Sequence, residues 1–407
     1  MSQATMLGPS ADRSTPVITR STTLLFAISV GVIVTNLFAS QTLVGVIGSA
    51  LKLPAGLTGL VAMASLLGYS AGLFLLVPLA DLVENRRLVV RLLACGAIAA
   101  AATTVIQGAG PLLGCLFVLG ACCSAIQVLV PIAASMTPPE HRGRVIGDVM
   151  SGLMVGILLS RPLASVLADV IGWRGFYGAS AAAMATLTLI LAIKLPRRSP
   201  LRHTTYPVLI ASLLRLLREE PVLRRRSMTA SLAMAAFSLF WTSIALKLAE
   251  PPFLLGQRGV ALFALVGAGA AIVTPIFGRA GDRGWTRPAT IAAHLLIVGS
   301  MLLAAWAPQA TSPMISLIVL GVAAVLLDAG ATGDQTLGRR SINLLDPEAR
   351  GRINGLFVGL FFLGGAVGST VAGFAWAWGG WTAVCLAGTA FGVATLALDF
   401  LASPVDG

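Results

Sequence analysis

Twelve apolar runs, each bounded by charged or turn-forming residues, dominate the chain. They cover 23–48, 57–80, 88–107, 111–135, 145–170 and 175–195, and after a polar break 228–250, 259–279, 288–307, 313–337, 353–376 and 381–402. A helix needs about 20 apolar residues to cross a bilayer, and the runs have that length. They lack the alternation of barrel strands, so each predicts a membrane-spanning helix. The first 22 residues are polar and lack the charged-then-apolar layout of a cleavable signal. They predict a short disordered tail, residues 1–22.

Composition sharpens this picture. Apolar residues make up 57% of the 407 and charged residues only 11%, against roughly 45–50% and 25% in globular chains. Disordered, fibrous and disulfide-rich secreted classes are excluded. The 44 glycines suit helices that approach one another closely in lipid.

The net charge of +12 would point to nucleic acid in a soluble protein, but its distribution argues otherwise. Of the 28 basic residues, 23 fall in the termini and loops of one side, and the opposite loops hold only Lys52, Arg174 and Arg258. By the positive-inside rule both termini are predicted to be cytoplasmic. The excess is an orientation signal, and no nucleic-acid partner is expected.

The chain also repeats. PEHRGR at 139–144 returns as PEARGR at 347–352, and at the same offset of 208 Gly147, Gly156 and Gly172-Trp173 match Gly355, Gly364 and Gly380-Trp381. At an offset of 201, Asp81 and Arg86 match Asp282 and Arg287. Two bundles of six helices, 23–195 and 227–402, are therefore predicted in the same orientation, as parallel repeats. The connecting segment 196–226 carries Leu209, Ile210, Leu213, Leu214, Leu216 and Leu217 opposite Arg215, Arg218 and Glu219. That spacing fits either a helix on the cytoplasmic leaflet, with Arg224–Arg226 toward anionic headgroups, or a solvated connector.

These features resemble the major facilitator superfamily: six plus six spans, the Asp/Arg loops after spans 2 and 8, the R-G-R at the start of spans 5 and 11, and the Gly-Trp before spans 6 and 12. The stretch FSLFWTSIALKLAEPPF at 237–253 is similar to the superfamily's bacterial twelve-span drug:proton antiporters. The family's loop motif G-x-x-x-D-R-x-G-R is kept in the second half as Gly278, Asp282, Arg283 and Arg287. In the first half Val77, Leu82 and Glu84 stand at motif positions, and Asp81, Arg86 and Arg87 remain. The resemblance implies an all-α membrane protein of twelve transmembrane helices in two six-helix bundles, working by alternating access.

Charges inside spans are the first functional candidates, because an ionised group in hydrocarbon costs about 3 kcal/mol or more. Arg161 lies about 16 residues into span 5, roughly 24 Å from the cytoplasmic face. It either anchors an anionic or carbonyl-bearing substrate, partners a titrating carboxylate, forms a structural ion pair, or is a snorkelling side chain. It belongs to a ridge of small residues, Gly152, Gly156, Ser160, Ala164 and Ala168, expected to pack on a neighbouring helix, which the resemblance places in the other half. Asp328 lies about 15 residues into span 10, roughly 22 Å from the outer face. Such a carboxyl suits a proton carrier or a helix–helix hydrogen bond. Asp334 is expected to be solvated. Lys247, Glu250 and Asp169 are expected to be peripheral.

The resemblance further implies that spans 1, 4, 7 and 10 line a central cavity, which makes Asn36, Gln41, Gln127, Trp241 and Thr242 candidates beside Asp328. Proton-coupled members often carry an arginine in span 4 with glycine four residues on. Here Leu116 takes the arginine's place and Gly120 is retained, so Arg161 is a candidate to supply the charge. Asp81, Arg86, Asp282, Arg283 and Arg287 are expected to form an uneven cytoplasmic gate.

Other motifs are discounted. Gly68-Tyr69-Ser70-Ala71-Gly72 spells a hydrolase elbow but falls inside span 2, where the required strand-to-helix turn has no place. Five cysteines lie in spans without metal spacing, three histidines are isolated, and no phosphate-binding loop with lysine occurs. No enzyme activity and no cofactor are expected, with the proton gradient as energy source. The predicted function is proton-coupled efflux of small organic compounds from a bacterial inner membrane, by a monomer whose partners are its substrate and lipid. An uptake symporter or facilitator is the alternative, and a transport-inactive receptor or scaffold the rival of another class.

Overall fold

A computed structural model describes residues 19–197, 205–346 and 349–400. Most of the expected tail and part of the linker lie outside these residues. The helices are α1 Arg20–Ala50, α2 Leu60–Leu75, α3 Asn85–Val105, α4 Ala109–Cys123, α5 Ala125–Ser135, α6 Arg142–Lys194, α7 Tyr206–Glu219, α8 Pro221–Ala249, α9 Gln257–Val266, α10 Ala270–Asp282, α11 Thr286–Trp306, α12 Pro313–Asn343 and α13 Arg350–Phe400. No strand occurs among the described residues.

The expected spans map onto these helices with two physical differences. The 53-residue α6 and the 51-residue α13 each carry two expected spans. Their breaks sit at Gly172, with φ +75°, and at Gly379–Gly380, where Gly380 has φ +57°. A side chain would strain this left-handed backbone, which explains the repeated Gly-Trp. Spans 4 and 8 are each split. Span 4 is broken at Ser124 between α4 and α5, and span 8 at a 3-10 turn, Gly267–Gly269, between α9 and α10.

Packing follows the repeat. In the first half α1 lies on the first arm of α6, and α3 on its second arm, where Gly96 faces Met184. In the second half α8 lies on the first arm of α13, and α11 on its second arm, where Gly388 faces Met301. The small-residue ridge of span 5 differs from expectation. A Cβ on Gly152 would stand 2.3 Å from the Ala27 carbonyl oxygen, and one on Gly156 2.4 Å from that of Gly31. The ridge therefore seats α1 of its own half. Between halves, Ser70 donates to the Gly359 carbonyl at 2.8 Å, and the Gly59 backbone meets Ser369 and Gly373. The α6 arm meets α9 through Asp169 and Arg258, 2.6 Å apart.

The apparent hydrolase motif is a packing motif. A Cβ on Gly68 would fall 2.0 Å from the Phe117 carbonyl oxygen, so α2 and α4 touch backbone to backbone. Arg224–Arg226 belong to the first turns of α8 rather than to a surface cluster, and Arg226 is buried. Helix α7 turns Leu209 and Leu213 inward while Leu214 is exposed, and Tyr206 donates to the Leu75 carbonyl at 3.0 Å.

Candidate substrate site and buried charges

Most hydroxyls within the spans bond back to their own helix, as Ser29 does to Leu25 O and Ser300 to Ile297 O. They need no other explanation. The informative side chains are those that reach across helices.

At mid-depth four candidates converge. Arg161, 5% exposed, donates from Nε to Gln41 Oε1 at 3.0 Å. Its guanidinium carbon lies 5.1 Å from the Phe38 ring centre, 5.0 Å from Phe237 and 4.4 Å from Trp241. A desolvated cation–π contact contributes up to about 2 kcal/mol, so three rings offset much of the cost of holding this cation out of water. Its Nη2 is buried and bonds to nothing among the described residues. Trp241 turns its Nε1–H to Asp328 Oδ1 at 2.7 Å, and Asp328 is 7% exposed. Asp328 and Arg161 act on each other electrostatically without a direct ion pair. Gln41 Nε2 reaches Ser238 Oγ at 3.5 Å, closing the cluster across the two halves.

Sequence explains the placement. Phe38 precedes Gln41 by three residues on α1, and Phe237 precedes Trp241 by four on α8, so each pair shares a helix face. Gly267 packs against the cluster. A Cβ there would stand 2.8 Å from Asp328 Oδ2 and 2.9 Å from the Trp241 ring. The turn that splits span 8 thus lies directly over the carboxylate.

The remaining predicted residues lie apart. Gln127 donates to Tyr69 Oη at 3.3 Å, and the Tyr69 ring meets Phe362 edge-on at 4.6 Å. Phe362 in turn lies 6.0 Å from Phe38, so Gln127 adjoins the site through an aromatic layer. Asn36 faces away, accepting from Ser180 at 2.5 Å inside the first half. Thr242 pairs with Ser369 at 3.1 Å and joins α8 to α13. Leu116 is fully buried.

At the basic-loop end, Asp282 pairs with Arg340 on α12. Arg283 lies over Trp285 at 6.0 Å, and Arg287 is exposed. Asp81 and Arg86 have no ion-pair partner among the described residues, while their neighbours Glu84 and Arg87 pair at 3.0 Å. The charges that pair here do so within one half and not across the two.

A second buried cluster corrects two expectations. His294 is not isolated and Asp334 is not solvated: they are 0% and 1% exposed. His294 Nε2 stands 2.9 Å from Asp334 Oδ1, and Nδ1 stands 2.8 Å from Asp399 Oδ2. Arg226 Nη1 is 3.9 Å from Asp399 Oδ1 and donates to Thr290 Oγ1 at 3.3 Å. Four helices contribute, which hid the cluster from reading along the chain.

Two repeated helical bundles with a polar, aromatic-walled centre at their junction define a multi-pass membrane transporter. The sequence profile of the Major Facilitator Superfamily matches residues 22–333, and the chain belongs to that family. It is 35% identical over 375 residues to the uncharacterized transporter YgaY of Escherichia coli O157:H7, covering 92% of this chain and 93% of YgaY. Among solved structures it is similar to the nucleoside transporter NupG, with a TM-score of 0.70, 14% identity, and coverage of 93% and 97% of the two chains. A D-xylose–proton symporter aligns with a TM-score of 0.69, 14% identity, and coverage of 93% and 96%. At such identities the likeness is one of fold.

Proposed function

We propose that this transporter exports small organic compounds in exchange for protons by alternating access. The observation that carries the reading is the Asp328 carboxyl, buried at the junction of the halves, bonded to Trp241 and facing the ring-caged Arg161. A carboxylate kept in such a place is costly, and protonation removes that cost. Proton and substrate then compete for one site, as exchange requires. Substrate occupies the site while Asp328 is ionised: Arg161 Nη2 is the donor for its carbonyl or carboxylate, and Phe38, Phe237 and Trp241 are walls for its planar part. Protonation of Asp328 closes the site to it.

In this reading the basic loops and both termini face the cytoplasm of a bacterium, and the protein acts as a monomer in the inner membrane. It needs no cofactor beyond the proton gradient. The Asp81, Arg86, Asp282, Arg283 and Arg287 loops govern the cytoplasmic opening.

The test is transport of a panel of planar aromatic carbonyl and carboxylate compounds in inside-out vesicles with a lumenal pH dye. Substrate uptake that drives protons out of the lumen supports exchange. Protons moving with the substrate would instead establish a symporter, and transport without a proton signal would remove coupling altogether.

A further inference from the structure

The cluster around His294 is separate from the central site and plays no part in the exchange just described. Both imidazole nitrogens stand within 2.9 Å of a carboxylate oxygen. Nε2 and Asp334 Oδ1 form a hydrogen bond, whereas Nδ1 and Asp399 Oδ2 are in close contact outside hydrogen-bond geometry. An unprotonated Nδ1 would set its lone pair against that oxygen, and a neutral imidazole carries only one N–H. The trio therefore holds one proton more than a neutral ring and two carboxylates supply. Charge leads to the same conclusion. Two carboxylates face one imidazole, and a proton on the ring lowers the negative charge of this buried group, which a low-dielectric interior favours.

The first half shows that the fold does not require these charges. At the repeat offset of 201, Arg226 and His294 correspond to Leu25 and Leu93. Asp334 corresponds to Ala133 at that offset and to Ile126 at 208, and Asp399 corresponds to Leu191 at 208. Leu93, Ile126, Ala133 and Leu191 are buried core residues, with Leu25 packed on them. Apolar packing serves the same positions there, and exchanging buried ions for it is often neutral or stabilising.

We propose that His294, Asp334 and Asp399, with Arg226 beside them, form a second proton-binding site whose occupancy holds α12 to α11 and α13 at the basic-loop end. Removing the proton sets a nitrogen lone pair against a carboxylate oxygen and adds one negative charge to the buried group. The basic-loop end of α12 is then released, and α12 also carries Asp328. The groups facing the imidazole are Asp334 from α12 and Asp399 from α13. Arg226 from α8 stands against Asp399, and Thr290 of α11 holds Arg226.

Two readouts on the full-length protein in lipid test the proposal. Replacing His141 and His203 by asparagine leaves His294 as the sole histidine of three. Nitrogen-15 NMR of its ring, from about pH 5 to about pH 9, is expected to show hydrogens shared at both nitrogens at neutral pH and the loss of one proton on raising the pH. Spin labels at Leu344 and Phe400, both exposed, report the α12–α13 distance over the same range. The distance is expected to widen as the proton leaves, and to become insensitive to pH in His294→Leu and in Asp399→Asn. The second variant decides the matter should the first not fold. A ring with one ordinary N–H at neutral pH, an unchanging distance, or a pH response that survives in the variants overturns the proposal.

Discussion

The two halves share a frame but not its chemistry. Each pairs a leading helix with a long broken one, α1 with α6 and α8 with α13, and each breaks the long helix at a positive-φ glycine. At the centre the first half supplies the cation, Arg161, whose repeat mate is Ser369. The second half supplies the anion, Asp328, which corresponds at the 201 offset to Gln127. Away from the centre, the second half buries His294, Asp334, Asp399 and Arg226 where the first packs leucine, alanine and isoleucine. What the fold needs is what the halves share, and the charges peculiar to one half are candidates for function.

This comparison can be broken in several places. The largest effect is expected from Asp328→Asn, which should abolish proton-linked transport. Transport at wild-type rate with proton movement intact would move the proton site elsewhere. Next, Arg161→Gln should weaken transport roughly a hundredfold, about 2.7 kcal/mol, and alter its pH dependence. An unchanged pH profile in vesicles would remove Arg161 as the replacement for the missing span-4 arginine. Gly267→Ala should lower transport roughly tenfold, since its methyl group meets both Asp328 and Trp241, with thermal stability little changed. Loss of folding instead would make Gly267 a packing residue.

A smaller effect is expected at the loops. Asp282–Arg340 is an exposed pair, worth about 0.2–1 kcal/mol. Asp282→Asn should therefore slow transport by no more than about fivefold, and Asp81→Asn, which breaks no ion pair among the described residues, by less. Equal losses in matched initial-rate assays would contradict the unevenness of the two loops.

Much of the architecture was legible because hydrophobic length and repeated glycines act locally. The Gly172-Trp173 and Gly380-Trp381 pairs marked both turns. Depth along the helix set Arg161 toward the outer side and Asp328 toward the other, and only the structure joins them, through Trp241. Gln41 and Trp241, chosen as polar residues of spans 1 and 7, both contact Arg161. Asn36 and Thr242, chosen on depth alone, are turned by their helices toward Ser180 and Ser369, an angular position that depth does not specify. The aromatic cage went unread because a phenylalanine in a membrane span is unremarkable until a charge lies against it. Phe38 and Phe237, at helical spacing from Gln41 and Trp241, were the available signal. The His294 cluster was hidden for another reason. Its members come from four helices, and only a position-by-position comparison of the halves sets them against leucine.

The central claim is that Asp328 exchanges its proton for substrate. Its most direct test is the release of protons into weakly buffered solution when a transported compound is added to the purified protein below neutral pH. The account predicts that substrate binding displaces about one proton from the wild type, and none from Asp328→Asn. Equal release from both would contradict it.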